Sequence, residues 1–279
     1  MISDLHIGDA SPKDNLCQAN REALLHSFLD YVEQQEGRLI ILGDFFELLR
    51  YPLDAIVARR KELLDRLARL EATFVPGNHD EGTARLVDPN HPPHPFFARM
   101  STAFTMPIGE KRFKFMHGHE VDPFISAPIR SVSRAVGAVA CLFNSREGTC
   151  LLSNDAFTSV LMELGEQVLR LKDWANRCMG RALRECYYMM PPEEATRLTH
   201  QIRIQRMLSR YYQDKAEGLY DVAVVGHTHK AGAFGQWYLN SGSWTGVTND
   251  FLRIAPDGQA TVLTWGHSGP RVSPMKIPA

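Results

Sequence analysis

Five short motifs set out metal-ligating side chains in one order: Asp4-Leu5-His6, Gly43-Asp44, Gly77-Asn78-His79-Asp80, His117-Gly118-His119 and Gly226-His227-Thr228-His229. They offer two carboxylates, one amide oxygen and several imidazoles, almost all beside glycine or at turns after apolar runs. That is a ligand set for two divalent cations sharing one carboxylate, a constellation that cleaves phosphoesters. An ionised carboxylate bridges two cations and offsets their repulsion, and Asp44 is the candidate for that place. Asp4 and His6 lie two apart, so on an extended backbone they would face the same side. His227 and His229 share this spacing, so a loop must splay them if each serves a different cation. Asn78 offers a neutral carbonyl oxygen, and His117 completes the second site. Oxygen and imidazole without thiolate suit Mn2+, Fe or Zn2+, with Mn2+ the expected ion. Two cations roughly 3.5–4 Å apart lower the pKa of a shared water and hold the attacking and leaving oxygens in line. His79 is then expected at the leaving group as acid or charge stabiliser, with Asp80 fixing its tautomer. Taken singly, His6 or His117 would as readily be a turn histidine; their joint occurrence carries the reading. His119 is expected behind the ligands or in a structural place, because both sites are already filled. His91 and His94 are expected as exposed loop residues.

These residues need elements that deliver them to one edge. Apolar residues at Leu24, Phe28, Tyr31 and Val32 give a helical stripe within Leu16–Glu36. Arg38–Leu42 is a short strand ending at Gly43-Asp44. Asp54 is the expected N-cap of a helix through Ala72, with Ile56, Leu63, Leu67 and Leu70 on one side. Thr73–Val75, Arg112–Met116 and Tyr220–Val225 are strands that end at Pro76-Gly77-Asn78, His117 and Gly226-His227. Strands ending at such loops are how an open α/β sheet places ligands along one edge. Trp237–Asn240, Phe251–Ile254 and Thr261–Trp265 read as further strands, with turns at Ser241-Gly242 and Pro256-Asp257-Gly258. Three residues precede Asp4, fewer than the about five or six of a usual strand. The first strand is therefore expected to begin upstream of Met1.

The 279 residues can bury a substantial core, and an apolar fraction of 44% with 23% charged residues is ordinary for a globular chain. A net charge of −1, with no basic stripe and interleaved aromatics, argues against nucleic acid as partner. Five cysteines without a Cys-x-x-Cys pair argue against a disulfide framework, and no signal peptide or spanning run is visible. The expected location is cytoplasmic. Between the fourth and fifth motifs the pattern turns helical. Residues 122–215 are expected as a helical insertion, or lid, on a core of residues 1–121 and 216–279. One helical segment, from Asp155 to about Met190, stops at Pro191-Pro192, and the next opens with Glu193-Glu194 in its first turn. Ile129, Val132, Val136, Val139, Ala140 and Phe143 form an apolar face beside Arg130 and Arg134. Such a face packs on a core with solvated arginines, or covers an acyl chain and meets the inner membrane while Arg130 and Arg134 bind phosphate. Packing is the leading reading, as a solvated face is for Arg203, Arg206 and Arg210.

The set Asp4-x-His6, Gly43-Asp44-x-x-Glu47, Gly77-Asn78-His79-Asp80, His117-Gly118-His119 and Gly226-His227-Thr228-His229 resembles the calcineurin-like metallophosphoesterases. The resemblance implies an α/β fold, a two-sheet α/β sandwich with flanking helices. It also implies one metal on Asp4, His6, Asp44 and His229, a second on Asp44, Asn78, His117 and His227, and His79 as the catalytic histidine. Within the family, Gly43-Asp44-Phe45-Phe46-Glu47, the helical stretch after the fourth motif and Asn240-Ser241-Gly242-Ser243-Trp244 resemble the UDP-2,3-diacylglucosamine diphosphatases. The best-studied branch has arginine at the position of His79 and aspartate at that of His119, so this chain is more similar to a branch carrying Asn-His-Asp. The implied function is two-metal hydrolysis of a UDP-linked lipid diphosphate by in-line attack of a bridging hydroxide. The alternatives are a phosphodiesterase or phosphomonoesterase on a soluble nucleotide or phosphoprotein, and a non-catalytic scaffold, which would have eroded His79.

Overall fold

Short runs of β-branched and aliphatic residues give strands buried on both faces, and their two-residue period divides the side chains between two cores. In β1 (Ile40–Leu42), Ile40 and Leu42 face one core and Ile41 the other. In β2 (Thr73–Val75), Val75 joins the first of these and Phe74 the second. These assignments come from a computed structural model, which describes residues 1–88, 90–122, 192–246 and 248–273. Among them, β3 (Phe104–Ile108), β4 (Lys111–Phe115), β5 (Val222–Val225), β6 (Gly232–Phe234) and β7 (Tyr238–Asn240) form a mixed sheet of order β3-β4-β5-β7-β6. The strands β8 (Asn249–Ile254), β9 (Ala260–Gly266) and β10 (Gly269–Val272) make an antiparallel three-stranded sheet. β1 and β2 pair in parallel, with Leu42 level with Val75.

The segment Met1–Ser3 joins the smaller sheets into one layer. Ile2 donates to Ile40 O and accepts from Leu42, while Leu252 N of β8 donates to Met1 O. The result is the two-layer α/β sandwich. Its interior holds Ile40, Leu42, Val75, Phe113, Val224 and Leu252. On the outer side lie α1 (Arg21–Gln34), α2 (Leu53–Arg59) and α3 (Lys61–Arg69), through Phe28, Ile56 and Leu64. Burying a side chain of this size contributes roughly 1.5–3 kcal/mol. A short helix, α4 (Thr83–Leu86), follows the third motif.

Several elements differ from their sequence reading. Leu16–Glu36 is a 3-10 turn at Asn15–Cys17 followed by α1. The helix expected from Asp54 to Ala72 breaks at Arg60, and Pro52, not Asp54, stands at the cap position. At the break, the buried Arg60 guanidinium donates to Asp14 and Glu22, each at 2.5 Å. The edge strands β3, which carries Pro107, β6, which is three residues long, and β10 are absent from the sequence reading. Packing divides the chain into two units, Met1–His119 with Arg210–Ala279, and Glu120–Ser209. In the second, Arg203 pairs with Asp122. The helix α5 (Pro192–Ala216) contributes Tyr211 to the first, where its hydroxyl donates to Gly118 O. Arg210 pairs with Asp214 at 3.0 Å. His94, expected to be exposed, is buried between Asp65 Oδ1 at 3.1 Å and the Phe96 amide, whereas His91 is exposed. No helix among the described residues is long and apolar enough to cross a membrane.

Candidate metal centre

The parallel registers bring the carboxyl ends of β1 and β2, and of β4 and β5, to the loops that carry the motifs. A hydrogen bond ties the two layers at this edge: His117, just past β4, sets Nδ1 2.6 Å from Leu42 O at the end of β1. The backbone there is unusual. Asp4, His6, Asp44, His227 and His229 all have positive φ, between 48° and 66°. Asp and His enter this region more readily than most side chains, yet each such residue costs of order 1–3 kcal/mol and persists only where its surroundings hold it. Asp4 and His6 do bring their ligand atoms to one side, as expected, but from left-handed backbone and not from an extended strand. Each turns out of the strand, held by Asp4 N to Gly43 O at 3.0 Å and His6 N to Asp44 O at 2.9 Å. Gly77 is required by close approach: a Cβ there would lie 2.3 Å from Asp44 Oδ1.

Three groupings of ligand atoms result, each within 4.8 Å: Asp4 with His6 and His229, His6 with Asp44 and His79, and Asp44 with His117 and His227. The loop after β5 thus sends His229 to one grouping and His227 to another. His117 Nε2 stands 3.3 Å and His6 Nε2 3.9 Å from Asp44 Oδ2, which makes Asp44 common to two groupings. His229 Nε2 lies 3.0 Å from Asp4 Oδ1, off the line of a hydrogen bond. His119 is buried, its ring 5.4 Å from that of His117 and its Nε2 4.0 Å from Glu81. Arg130 and Arg134 lie outside the described residues.

Whether these residues fit divalent cations can be judged from what they leave unmet. Asp4 Oδ1, His6 Nε2, Asn78 Oδ1 and His117 Nε2 are buried and make no hydrogen bond among the described residues. A buried unpaired polar atom costs about 1–3 kcal/mol, so four of them on three motif loops call for an electrophile. The opposite ring nitrogens are engaged. His6 Nδ1 is 2.8 Å from Glu47 Oε2, His117 Nδ1 meets Leu42 O, and His229 Nδ1 is 3.3 Å from Thr245 Oγ1. Such bonds fix an imidazole with Nε2 toward a metal. The residues fit divalent cations.

Glu47 is the residue the motif reading left without a role. Its carboxylate takes His6 Nδ1 and also His79 Nδ1, the latter at 2.9 and 3.0 Å. The signal was its place three residues after Asp44; the turn that brings it round is tertiary. Asp80, expected to fix the tautomer of His79, is corrected: its carboxylate accepts from the amides of Phe45 at 2.7 Å, Phe46 at 3.0 Å and Gly77 at 2.5 Å. Asp80 staples the second and third motif loops together. The reason is direction: Asp80 is fully buried beneath the loops, whereas His79 turns outward.

The electrostatics follow from crowding charges out of water. Burial opposes ionisation of Asp44, but His117, with His79 and His6 beyond, holds it well below the usual carboxylate range. Burial likewise opposes Glu47, yet hydrogen bonds from His6 and His79 bring it down to about 2. His79 is raised to about 9, its burial outweighed by Glu47 and Asp44. His117 is raised to about 10, its burial outweighed by Asp44. Protons here do the neutralising that a cation does better.

The sequence model described as calcineurin-like phosphoesterase matches residues 1–231. A comparison with curated proteins finds no match. Among solved structures, a Vps29 single mutant from Entamoeba histolytica is 16% identical, with 98% of this chain and 94% of that chain covered and a TM-score of 0.41. Wild-type Vps29 of the same organism, complexed with Zn2+, is 17% identical with the same coverage and a TM-score of 0.40. Vacuolar Protein Sorting 29 from Cryptosporidium parvum is 16% identical over 98% and 93%, with a TM-score of 0.41.

Proposed function

Because the chain belongs to the calcineurin-like phosphoesterase family, whose members hydrolyse phosphoesters with divalent metals, we propose that it is a dinuclear phosphoester hydrolase. One observation carries this: the motif loops bury four unmet atoms, of Asp4, His6, Asn78 and His117, and one carboxylate, Asp44, is common to two ligand groupings. Asp4, His6, Asp44 and His229 would hold one cation, and Asp44, Asn78, His117 and His227 the other. Cations bound there acidify water and neutralise phosphoryl oxygens. The chain's own part is proton handling and order. Glu47 holds Nδ1 of His79 and stabilises its imidazolium, leaving Nε2–H to protonate the departing oxygen. Asp80 keeps the loops of Asp44 and Asn78 in register.

For the substrate, the resemblance to UDP-2,3-diacylglucosamine diphosphatases favours the diphosphate of a UDP-linked lipid. On this reading the insertion, residues 122–215, covers acyl chains with Arg130 and Arg134 at phosphate, and the enzyme works in the cytoplasm at the inner membrane surface. Mn2+ is the proposed ion, Fe or Zn2+ the alternatives. His79, in place of the arginine of the best-studied branch, favours a second reading, a phosphodiesterase or phosphomonoesterase on a soluble nucleotide or phosphoprotein. Purified protein with Mn2+ should be offered UDP-2,3-diacylglucosamine beside bis-p-nitrophenyl phosphate. UMP release far faster than turnover of the diester supports the lipid. Turnover of the diester alone discards it.

A further inference from the structure

Asn240 ends β7, has no exposed surface, and uses every polar atom of its amide. The two hydrogens of Nδ2 face Gly226 O at 2.7 Å, Thr228 Oγ1 at 3.0 Å and the Tyr238 hydroxyl at 3.1 Å, and Oδ1 accepts from Gly242 N at 2.9 Å. Two of these partners, Gly226 and Thr228, flank His227, and His229 follows. The turn is closed from within by Thr228 N to Gly226 O at 2.8 Å. On either side of Thr228 the histidines take left-handed φ of 66° and 56°, and they fall in different groupings. A neighbouring bond braces the same segment: Ser241 N donates to Val225 O at 2.9 Å.

We infer that Asn240 is a positioning residue for both cations: its buried amide pins the turn that sends His227 to one grouping and His229 to the other. The inference rests on the dinuclear reading of the function. The amide is chemically specific, because the site needs a donor toward Gly226 and Thr228 and an acceptor toward Gly242 at the same atom positions. Aspartate would set a buried charge against a carbonyl oxygen, and leucine of similar size satisfies neither side. Thr228 is the second handle, since its hydroxyl receives the amide and its methyl does not.

The test is Mn2+ binding by calorimetry, with elemental analysis of bound metal, on the full chain and on Asn240→Leu, Thr228→Val and Thr228→Ser. Loss of a bond behind a ligand typically weakens metal affinity about 10–100-fold, which is the expectation for Asn240→Leu and Thr228→Val with an unchanged circular dichroism spectrum. Thr228→Ser, which keeps the hydroxyl, should bind like the parent. A folded Asn240→Leu that takes up Mn2+ as tightly as the parent overturns the inference alone. Should Asn240→Leu not fold, parent-like binding by Thr228→Val overturns it instead. A parent chain that takes up no Mn2+ overturns the dinuclear reading and the inference with it.

Discussion

Glu47 holds two imidazoles on one carboxylate, one from the ligand set and one facing solvent, and so couples metal binding to proton delivery. Glu47→Gln keeps an acceptor but removes the charge that raises His79. Its kcat should fall about 10–100-fold, the usual cost of losing a partner behind a ligand. Parent-like turnover of a folded Glu47→Gln would refute that role. The two central residues should separate cleanly. Asp44→Ala should lose both metals and nearly all hydrolysis, because it is common to two groupings. His79→Ala should keep its metal and lose about 10²–10⁴-fold in kcat, as expected for a proton donor. Elemental analysis beside steady-state kinetics distinguishes the two.

Elements matter here for where they stop. β1 and β2 end level, and their loops then interlock through Asp80, the Phe45 and Phe46 amides, and a glycine too close to Asp44 to carry a side chain. Gly77→Ala would drive a methyl into the Asp44 carboxylate. It should abolish metal uptake while circular dichroism stays near the parent's; normal uptake would show that the loop yields. The break between α2 and α3 is an element-scale device of another kind. Arg60, at the junction, meets buried Asp14, and Asp14 in turn caps the 3-10 turn through Leu16 N at 2.9 Å. Arg60→Met strands that carboxylate, so urea denaturation should show about 3 kcal/mol less stability. Metal uptake should persist, since Arg60 touches no ligand.

At the scale of the whole molecule, the metal centre links two layers of the sandwich, and its charge state links to solution conditions. His79 and His117 are raised to about 9 and about 10 in the metal-free chain, so both carry protons at neutral pH. A ligating His117 must be neutral, so metal uptake at pH 7 should release protons and affinity should rise with pH. Calorimetry in two buffers of different ionisation enthalpy reads the number released; zero would contradict the assignment of His117 as ligand. Cations bound only by the folded chain also stabilise it, by about 2.7 kcal/mol at 100 times Kd, so a chelator should lower Tm. The sequence by itself determined the candidate ligand types, their order and their places at strand ends, because glycine beside such a residue and apolar alternation are local signals. It also carried the α/β class and β2 to the residue. Tertiary structure alone decided that Glu47 rather than Asp80 meets His79, that a helix breaks at Arg60, and that Met1–Ser3 joins two sheets. It also decided which histidine joins which grouping, as His227 N and Asp4 Oδ2 meet across 223 residues of chain. The reason is physical: left-handed turns at Asp4, His6, Asp44, His227 and His229 hold only when distant strands are already in register.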